Sequence, residues 1–349
     1  MSQSNPHSAG ELSHLADEES EHRTPLLADL RLWAVIGIAF LLIAPHFIYP
    51  VMIAKVLCFA LFAAAFNLLL GFAGLLSFGH AAFFGFSAYV TGYCLQTLGF
   101  TAELGILAGT ATGALLGLLI GALAIRRQGI YFAMITLALS QMVYFVCLQA
   151  PFTGGEDGLQ GVPRRPLFGV VDMTSNINVY YLVLAIFCFG IFIIYRTVHS
   201  PFGQVLKSIR ENEDRAISLG YDADRYKLLA FVLSAALAGL AGSTKVMIFQ
   251  LASLTDVQWQ MSGEVVLMAV LGGIGTMLGP ILGATIIITL QNELAQIGSL
   301  TTIVQGAVFV VCVLLFRRGI VGELSHRWNR WRGRSDETTG EEPRTASKG

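Results

Sequence analysis

The stretch ELGILAGTATGALLGLLIGALAI, residues 103–125, indicates the class of fold. Its only charged side chain is Glu103, and it has about the 20 residues that a helix needs to cross a bilayer. The whole chain is similar in character, because 54% of its 349 residues are hydrophobic and 13% are charged. A soluble domain carries about 25% charged residues. We therefore expect an all-α membrane protein that crosses the bilayer several times.

Small residues recur along this stretch at every fourth position, at Gly109, Gly113, Gly117 and Gly121. This spacing places them on one helical face, where two backbones can approach closely in lipid. A similar patch, SAALAGLAGS, occurs at 234–243. We interpret the stripe as an ordinary tight contact between helices rather than as a dedicated dimer face.

Further apolar runs account for most of the chain. We predict about ten transmembrane helices, within a range of eight to ten. The runs lie near 32–49, 51–71, 80–98, 103–125, 130–149, 178–195, 227–250, 264–278, 281–297 and 301–316. The run at 264–278 is short for a full crossing, and Pro50 has to make a tight turn almost alone.

Lys and Arg side chains set the predicted orientation, since they are retained on the cytoplasmic side. Most of them fall on one side of the membrane if both termini are cytoplasmic, which requires an even number of spans. Arg164 and Arg165 do not fit this pattern, because they lie in the loop 150–177 that the count places outside. Lys55, Lys245, Glu264 and Glu293 lie near the outer ends of their spans, where we expect most of them to reach toward water.

The predicted membrane domain covers residues 32–318, and a charged loop at 197–227 interrupts it on the cytoplasmic side. Residues 1–31 are expected to form a polar cytoplasmic segment, without a secretory signal. Residues 319–349 are expected to form a basic and then disordered cytoplasmic tail. The five cysteines show no metal-ligand spacing and lie in apolar runs, so we interpret them as buried apolar side chains.

The charged loop contains SPFGQVLKSIRENEDRAISLG, residues 200–220, and predicts one short amphipathic helix. Ser200 is the expected cap, Pro201 stands in the first turn, and Gly220 ends the helix. Apolar residues recur at helical spacing, and charged residues take the other face. The apolar set is Phe202, Val205, Leu206, Ile209, Ala216 and Ile217, and the charged set is Lys207, Arg210, Glu211 and Asp214. The balance of acidic and basic residues favours a protein partner over an anionic lipid surface.

Glycine also interrupts two of the apolar runs, at 67–80 and at 264–280. The sequence GGIGTMLGP, 272–280, nearly matches a dinucleotide-binding loop, but no strand precedes it. We interpret it as a helix interrupted by glycine and ended by Pro280. A membrane tolerates such a break only where protein or a water-filled cavity satisfies the freed backbone groups, and broken helices often line the substrate path of transporters.

Several enzymatic and transport functions lack their motifs in this sequence. It has no phosphate-binding G-x-x-x-x-G-K-[ST] loop and no H-E-x-x-H zinc motif, and we expect neither a catalytic residue nor a metal site. It also lacks the ladder of charged residues that a proton-driven pump or a voltage sensor would need. Asn67 and Gln141 lie deeper in their spans, where one interhelical hydrogen bond would account for each.

The segment ENEDRAISLG, 211–220, resembles the E-A-A-x-x-x-G cytoplasmic coupling motif of ABC-importer permeases. Asp214, Arg215, Ala216 and Gly220 stand in its places, whereas the later I-x-L-P part of the motif is absent. The longer segment SPFGQVLKSIRENEDRAISLGYD (200–222) and four further segments occur in the order seen in the permease subunits of branched-chain amino acid ABC importers, and together they are distributed over most of residues 50–320. The four further segments are NLLLGFAGLLSFGHAAFFGFSAY (67–89), GIYFAMITLALSQM (129–142), TGGEDGLQGVP (153–163) and SGEVVLMAVLGGIGTMLGPILGA (262–284).

This resemblance implies a multi-pass subunit of the bacterial inner membrane with several protein partners. These would be a homologous second permease, two cytoplasmic ATPase subunits and a periplasmic solute-binding protein. ATP and magnesium would bind to the ATPase subunits, so this chain would need no cofactor of its own and no nucleic acid. The implied substrates are leucine, isoleucine and valine. Related permeases carry urea, short amides or other amino acids, and a stand-alone secondary transporter is a more distant alternative.

The resemblance also assigns expected roles to individual residues. The segment that couples to the ATPases would include Glu213, Asp214, Arg215, Ala216 and Gly220. The substrate path would be lined from the two interrupted segments, by Asn67, Ser77, His80, Glu264, Gly272, Gly273 and Gly275. The outer loop would supply a docking surface for the binding protein, formed by Gly154, Gly155, Asp157 and Gly158.

Overall fold

The computed structural model describes residues 41–47, 49–169 and 171–294, residue 37, and the short pieces 303–304, 306–307, 310 and 319–323. The predicted N-terminal segment 1–31, the tail beyond 323, half of the span predicted at 32–49 and most of the span predicted at 301–316 lie outside the described residues. The chain divides into two compact units, Met1–Pro50 and Val51–Gly349. In the first unit, Ala44–His46 forms a short 3-10 turn.

Helices make up most of the described chain between residues 50 and 294. They are α1 (Pro50–Asn67), α2 (His80–Gln96), α3 (Ala102–Ala124), α4 (Ile130–Gln149), α5 (Asn176–Val198), α6 (Pro201–Glu211), α7 (Glu213–Ser218), α8 (Ala223–Phe249), α9 (Trp259–Gly272) and α10 (Gly279–Leu294). A π-helical segment, Leu68–Ala73, continues α1. Strands β1 (Leu159–Gln160) and β2 (Leu251–Ala252) form a two-stranded antiparallel sheet.

Five helices in the described part of the chain are long and apolar enough to cross a membrane: α1 with its π-helical segment, α3, α4, α5 and α8. Helices α2, α9 and α10 are shorter, with 17, 14 and 16 residues. A mostly helical fold with apolar spans is therefore confirmed. The number of ten spans and the cytoplasmic location of both termini remain predictions.

The bundle has two ends that its contacts define. At the end that we name the loop end, the 197–227 loop lies beside residues 71–74 and 128. At the opposite end, the strand end, β1 pairs with β2. Helix α8 runs from the first end to the second.

The core of the bundle is formed around α1 and α8. We compared the most apolar 18 residues of each helix. The buried share is 89% for α1 with its π-helical segment and 78% for α8, but only 33% for α3 and 22% for α4. Helix α8 packs against α2 and α3, while α9 packs against α10. The less buried helices α3 and α4 each expose several large apolar side chains, among them Leu107 and Leu123 of α3 and Met134 and Phe145 of α4.

The glycine stripe of α3 packs against α8 of the same chain. This confirms the predicted ordinary contact between helices. Gly109, Gly113, Gly117 and Gly121 are all buried. A Cβ atom added at Gly113 would lie 3.0 Å from the Cα of Gly239 on α8. An added Cβ at Gly117 would clash with the Ala235 side chain, so only glycine permits this close approach of α3 to α8.

Arg164 and Arg165, which did not fit the charge pattern, bind the ends of helices at the strand end. Arg164 donates to the Met247 and Ile248 carbonyls at 3.0 and 2.7 Å, in the last turn of α8. Arg165 donates to the Leu95 carbonyl near the end of α2 at 3.4 Å. Cations stabilise the carboxyl ends of helices, because the last carbonyl groups have no partner within the helix. These contacts give both arginines a structural role in the loop 150–177.

Two of the charged side chains that we expected to reach toward water are instead paired. Lys245 of α8 forms an ion pair with Asp256, and their side chains are 12% and 2% exposed. Glu264 of α9 accepts a hydrogen bond from the Gln291 amide of α10 at 3.1 Å. The expectation for Lys245 was therefore wrong, because a pairing partner lies in the 3-10 turn that follows α8.

The break in the second glycine-rich segment differs from the prediction in position. Helix α9 ends at Gly272, and α10 begins at Gly279. Pro280 therefore stands in the first turn of α10 instead of ending the preceding helix. The first turn is a favoured place for proline, because its N–H groups have no partner within the helix. The connection 273–278 contains Gly273 at φ 120° and Gly275 at φ 78°.

Candidate functional site at the loop end

The charged loop folds into two helices, α6 and α7, and not into the single helix predicted. Asn212 separates them with an extended backbone, at φ −157° and ψ 101°. Its side-chain oxygen accepts a hydrogen bond from the Arg215 backbone N–H at 3.0 Å and so caps α7. Asparagine is among the best capping residues, and this side-chain bond competes with continuation of α6.

The predicted ends of this loop structure are confirmed. The Ser200 hydroxyl accepts from the Gly203 backbone N–H at 3.4 Å, and Pro201 follows it at the first helical position. After α7, Gly220 adopts a positive φ of 90°, and the Tyr221 N–H donates to the Ala216 carbonyl at 3.2 Å. This geometry is the usual glycine-dependent end of a helix.

The predicted apolar face is buried or partly buried, with one correction. Ile209 and Ala216 form a small core with Ala223, the first residue of α8, and they are 3% and 2% exposed. Ile217 was predicted on the same face, but it is 53% exposed, because the break at Asn212 changes the direction of α7. Exposed apolar side chains follow it at Leu219 and Tyr221. We name Ile217, Leu219 and Tyr221 the exposed patch.

Glu213, a predicted coupling residue, attaches α7 to the membrane helices. Its carboxylate lies 2.5 Å from the Lys227 ammonium of α8, and it accepts from the Gln128 amide at 2.9 Å. The Lys227 side chain is 5% exposed and the Glu213 side chain is 20% exposed. A largely buried charge requires a partner of opposite sign, so this ion pair fixes α7 to the beginning of α8.

The two predicted interrupted segments meet at this end through the Asn67 side chain. The Asn67 amide donates to the Thr276 carbonyl at 2.9 Å, and its oxygen accepts from the Gly275 N–H at 2.9 Å. Gly71 lies beside them, and a Cβ added there would be 2.6 Å from the Gly275 nitrogen. We name the contact of Asn67 and Gly71 with Gly275 and Thr276 the junction. It satisfies backbone groups that the broken helices leave free, which a membrane-embedded break requires.

Two residues of the predicted charged face, Lys207 and Arg210, contact the π-helical segment. Arg210 donates through Nη1 to the Gly71 carbonyl. The Lys207 ammonium lies over the Phe72 ring, 5.8 Å from its centroid. The loop therefore lies against the protein on more than its apolar side.

The other predicted path residues do not take part in the junction. Ser77 is buried in the connection before α2, and its hydroxyl accepts from the Gly79 N–H at 3.2 Å. Gly272 is at the end of α9, where an added Cβ would clash with the Gly279 carbonyl. Gly273 follows it, and Glu264 lies eight residues before the end of α9. The lining of a substrate path by these residues remains a prediction.

His80, also a predicted path residue, is fully buried among aromatic rings. The Ser234 hydroxyl donates to the Ala65 carbonyl at 2.5 Å, so His80 Nε2, 2.8 Å from that hydroxyl, is the donor of their hydrogen bond. The rings of Phe66 and Phe83 lie edge-on at 5.0 and 5.6 Å. The imidazole thus joins α2 to α8 in the interior of the bundle.

An apolar cavity of about 410 Å³ adjoins the loop end. It lies between residues 74–78 and the beginning of α4, and the side chains of Phe78, Ile130 and Leu137 are among its lining. Gly74 borders both this cavity and the Arg210 side chain. The cavity is therefore next to the junction.

The predicted docking loop lies at the strand end, and its glycines have structural roles. Gly154 and Gly158 have positive φ values of 76° and 69°. A Cβ added at Gly154 would clash with the Gly158 carbonyl, and a Cβ added at Gly158 would clash with the Ala252 carbonyl. Gly155 is also at positive φ, while Asp157 is exposed. Docking by these residues remains a prediction.

Asp172, which is outside the predicted docking set, also contributes a negative charge at the strand end. The Thr174 backbone N–H and hydroxyl both donate to the Asp172 carboxylate, at 3.0 and 2.8 Å. These two bonds favour the charged form and lower the pKa of Asp172 below its ordinary value. The exposed surface of the loop therefore presents this carboxylate as an anion at neutral pH.

Sequence reasoning missed the contacts that connect the loop to the helices. Arg210, Lys227 and Thr276 were not among the candidate residues, although all three make the polar contacts described above. The signal that could have identified the Arg210 contact was Gly74, since a Cβ added there would lie 2.9 Å from Arg210 Cγ. No spacing in the sequence relates residue 210 to residue 71.

Apolar spans, two broken helices joined by an amide side chain and a charged loop anchored to α8 indicate a multi-pass membrane protein. The comparison with protein families specifies it further. The chain belongs to the family of the permease component of the branched-chain amino acid transport system, whose model matches residues 51–313.

Relatives in bacteria and archaea agree with this family. The chain is 28% identical over 280 residues to the high-affinity branched-chain amino acid transport system permease protein LivM of Salmonella typhimurium and, equally, of Escherichia coli. Each alignment covers 73% of this chain and 65% of the relative, so the chain spans just under two thirds of the relatives' length. A probable branched-chain amino acid transport permease protein LivM of Methanocaldococcus jannaschii is 24% identical over 134 residues, which cover 37% of this chain and 38% of the relative. No solved structure matches the chain.

Proposed function

We propose that this protein is the membrane-spanning permease subunit of an ATP-driven importer in the bacterial inner membrane. It forms part of the translocation path for leucine, isoleucine and valine. The relatives named above carry branched-chain amino acid transport in their names, and the family match covers most of the chain, which supports this substrate class. ATP hydrolysis takes place in two cytoplasmic partner subunits, a homologous permease completes the path, and a periplasmic binding protein delivers the substrate.

The observation that carries this proposal is the construction of α7. On its inner side, Glu213 is paired with the buried Lys227 of α8 and Ala216 is buried. On its outer side, Ile217 and, just after the helix, Leu219 expose apolar surface at 53% and 70%. Exposed apolar side chains next to charged ones are typical of a surface that binds another protein. The helix can therefore receive movement from an ATPase groove and pass it to α8 through a buried ion pair.

The docking loop completes the proposal at the strand end. The substrate-binding protein approaches the surface around Glu156 and Asp157, both of which are exposed. Selectivity for the substrate resides largely in that binding protein. This assignment agrees with the lack of a polar substrate-binding cluster in the apolar cavity at the loop end.

The decisive experiment measures uptake of labelled leucine by the complete importer in proteoliposomes loaded with ATP. Isoleucine and valine are expected to compete, and urea, short amides and unrelated amino acids are not. If only urea or an amide competes, the protein is a permease of the related importers for those solutes. Uptake by this chain without its ATPases would contradict the proposal in favour of a secondary transporter.

A paired variant tests the role of α7. Replacing Ile217 with Ser removes apolar surface from the exposed patch without opening a buried cavity, and we expect reduced co-purification of the ATPases together with reduced uptake. Replacing the neighbouring, exposed Ser218 with Ala is the matched control and should change neither. Normal association of the ATPases with the Ile217→Ser variant would show that the exposed patch is not their contact surface.

A further inference from the structure

Helix α6 contacts the π-helical segment through two cations on one face. Lys207 and Arg210 are three residues apart and therefore neighbours on the helix surface. Lys207 lies over the Phe72 ring, and Arg210 donates to the Gly71 carbonyl. Both contacts fall within the same turn of the broken helix.

The carbonyl that Arg210 binds is open because of the break. The last carbonyl groups of a helix have no N–H partner within it, and they need a cap when they are not in water. The segment Leu68–Ala73 ends two residues after Gly71, and Gly74 then takes a positive φ of 73°. A guanidinium is well suited to such a site, since it offers several donors and remains charged.

Arg210 also lies where the two broken helices meet. A Cβ added at Gly275 would be 3.3 Å from the Gly71 oxygen and 3.6 Å from Arg210 Nη1. A Cβ added at Gly74 would be 2.9 Å from Arg210 Cγ. Absence of a side chain at Gly74 and Gly275 therefore gives the arginine access to the junction, which Asn67 closes from the other side.

We infer that Arg210 is a positioning residue of transport, through which the charged loop holds the junction of the two broken helices in one of two arrangements. This inference rests on the proposed function. When α6 moves with the ATPases, Arg210 leaves the Gly71 carbonyl, and the two broken helices lose a shared constraint. Removal of one hydrogen bond at a packed junction favours a discrete rearrangement over a gradual one.

This route differs from the contact between Glu213 and Lys227. That ion pair attaches α7 to the beginning of α8, whereas Arg210 reaches α1 and, through the junction, the connection between α9 and α10. Loss of the first contact would impair the attachment of the loop itself. Loss of the second leaves the loop attached and removes its hold on the broken helices.

The test uses the complete importer in proteoliposomes and measures leucine uptake and ATP hydrolysis on the same preparation. Arg210→Met removes all donors while keeping an unbranched chain, and Arg210→Lys restores a charged donor group, the ammonium. Arg225→Met is the matched control, because Arg225 is 83% exposed and pairs only along the surface with Asp222 in the described region.

We expect Arg210→Met to reduce leucine uptake per ATP by about tenfold, which is within the usual range of coupling between sites. ATP hydrolysis and co-purification of all subunits should persist, Arg210→Lys should recover most of the ratio, and Arg225→Met should match the wild type. A wild-type ratio in Arg210→Met would overturn the inference. Equal losses of uptake per ATP in Arg210→Met and Arg210→Lys would also overturn it. Loss of subunit assembly in Arg210→Met would overturn it too, because the residue would then serve folding.

The two proposals fail in different ways in this experiment. If the wild-type complex imports no leucine, the proposed substrate class is wrong, and the ratio is then measured with the solute that the complex does import. If the wild type imports leucine and Arg210→Met imports it with the same yield per ATP, only the role of Arg210 is wrong.

Discussion

Lys227 and Glu213 form an ion pair, with 2.5 Å between the ammonium and the carboxylate, at the point where the charged loop joins α8. Glu213→Gln would leave the Lys227 charge buried without its counterion. We expect a loss of about 3 kcal/mol in the free energy of unfolding, which is typical for removal of one partner of a buried pair. The measurement is unfolding of the purified protein in detergent, followed by circular dichroism.

The control for this prediction is the exposed pair of Arg225 with Asp222, whose side chains are 83% and 50% exposed. Arg225→Ala should cost less than about 1 kcal/mol, since surface pairs contribute little. Glu213→Leu combined with Lys227→Met should be more stable than Glu213→Gln alone, because no charge is then left unpaired. Equal stability of Glu213→Gln and the wild type would contradict this account.

Asn67→Ala would remove the side chain that joins the two broken helices. The Gly275 N–H and the Thr276 carbonyl would each lose a partner in a partly buried site, at a cost of about 1–3 kcal/mol for each group. We expect faster proteolysis at the connection 273–278 and a lower unfolding temperature. Gln141→Leu is the comparison, since the buried Gln141 Nε2 makes no hydrogen bond within the described residues, and its loss should cost little.

Two glycines inside helices offer a test of packing. A Cβ added at Gly242 on α8 would clash with the Phe84 backbone carbonyl of α2, whereas a Cβ at Gly263 on α9 meets nothing within 4 Å among the described atoms. Gly242→Ala should destabilise the bundle by about 1–3 kcal/mol or more, as overpacking does. Gly263→Ala should be neutral or stabilise by up to about 1 kcal/mol through helix propensity. The yields of folded protein in detergent would show the difference, and similar yields would contradict the packing.

The orientation of the chain can be tested by labelling with a thiol reagent that does not cross membranes. We expect Asp157→Cys, at the strand end, to react in intact spheroplasts, and Ser218→Cys, at the loop end, to react only in inverted vesicles. The described native cysteines are buried or partly buried, so the unaltered chain is the background. Labelling of both positions from the same side would exclude the predicted topology.

The sequence predicted much of the fold because membrane helices leave a local signal. The apolar runs near 103–125 and 130–149 agree closely with α3 and α4, and the glycines of α3 face another helix as their spacing indicates. Ser200 and Gly220 mark the ends of the charged loop's helices for the same reason, since capping depends on neighbouring residues alone.

The parts that were missed depend on contacts between distant residues. The break at Asn212 replaces one predicted helix by two, because a capping bond competes with a continuous amphipathic pattern. The bond from Arg210 to Gly71 joins residues 139 positions apart, and the Asn67 bonds span more than 200 positions. No periodicity along the chain encodes such pairs, so the sequence placed Arg210 on the charged face of a helix but did not identify its contact with Gly71.

The glycine face of α3 has a consequence for how two such subunits can associate. Small residues let helices of different chains approach closely in lipid, but in α3 this face is already occupied by α8 and α2 of its own chain. The opposite face carries large exposed side chains, including Leu107, Leu115, Leu119 and Leu123. If a neighbouring subunit meets this helix, it meets bulky leucines, so matching of side-chain shapes rather than close backbone contact would determine which subunit fits.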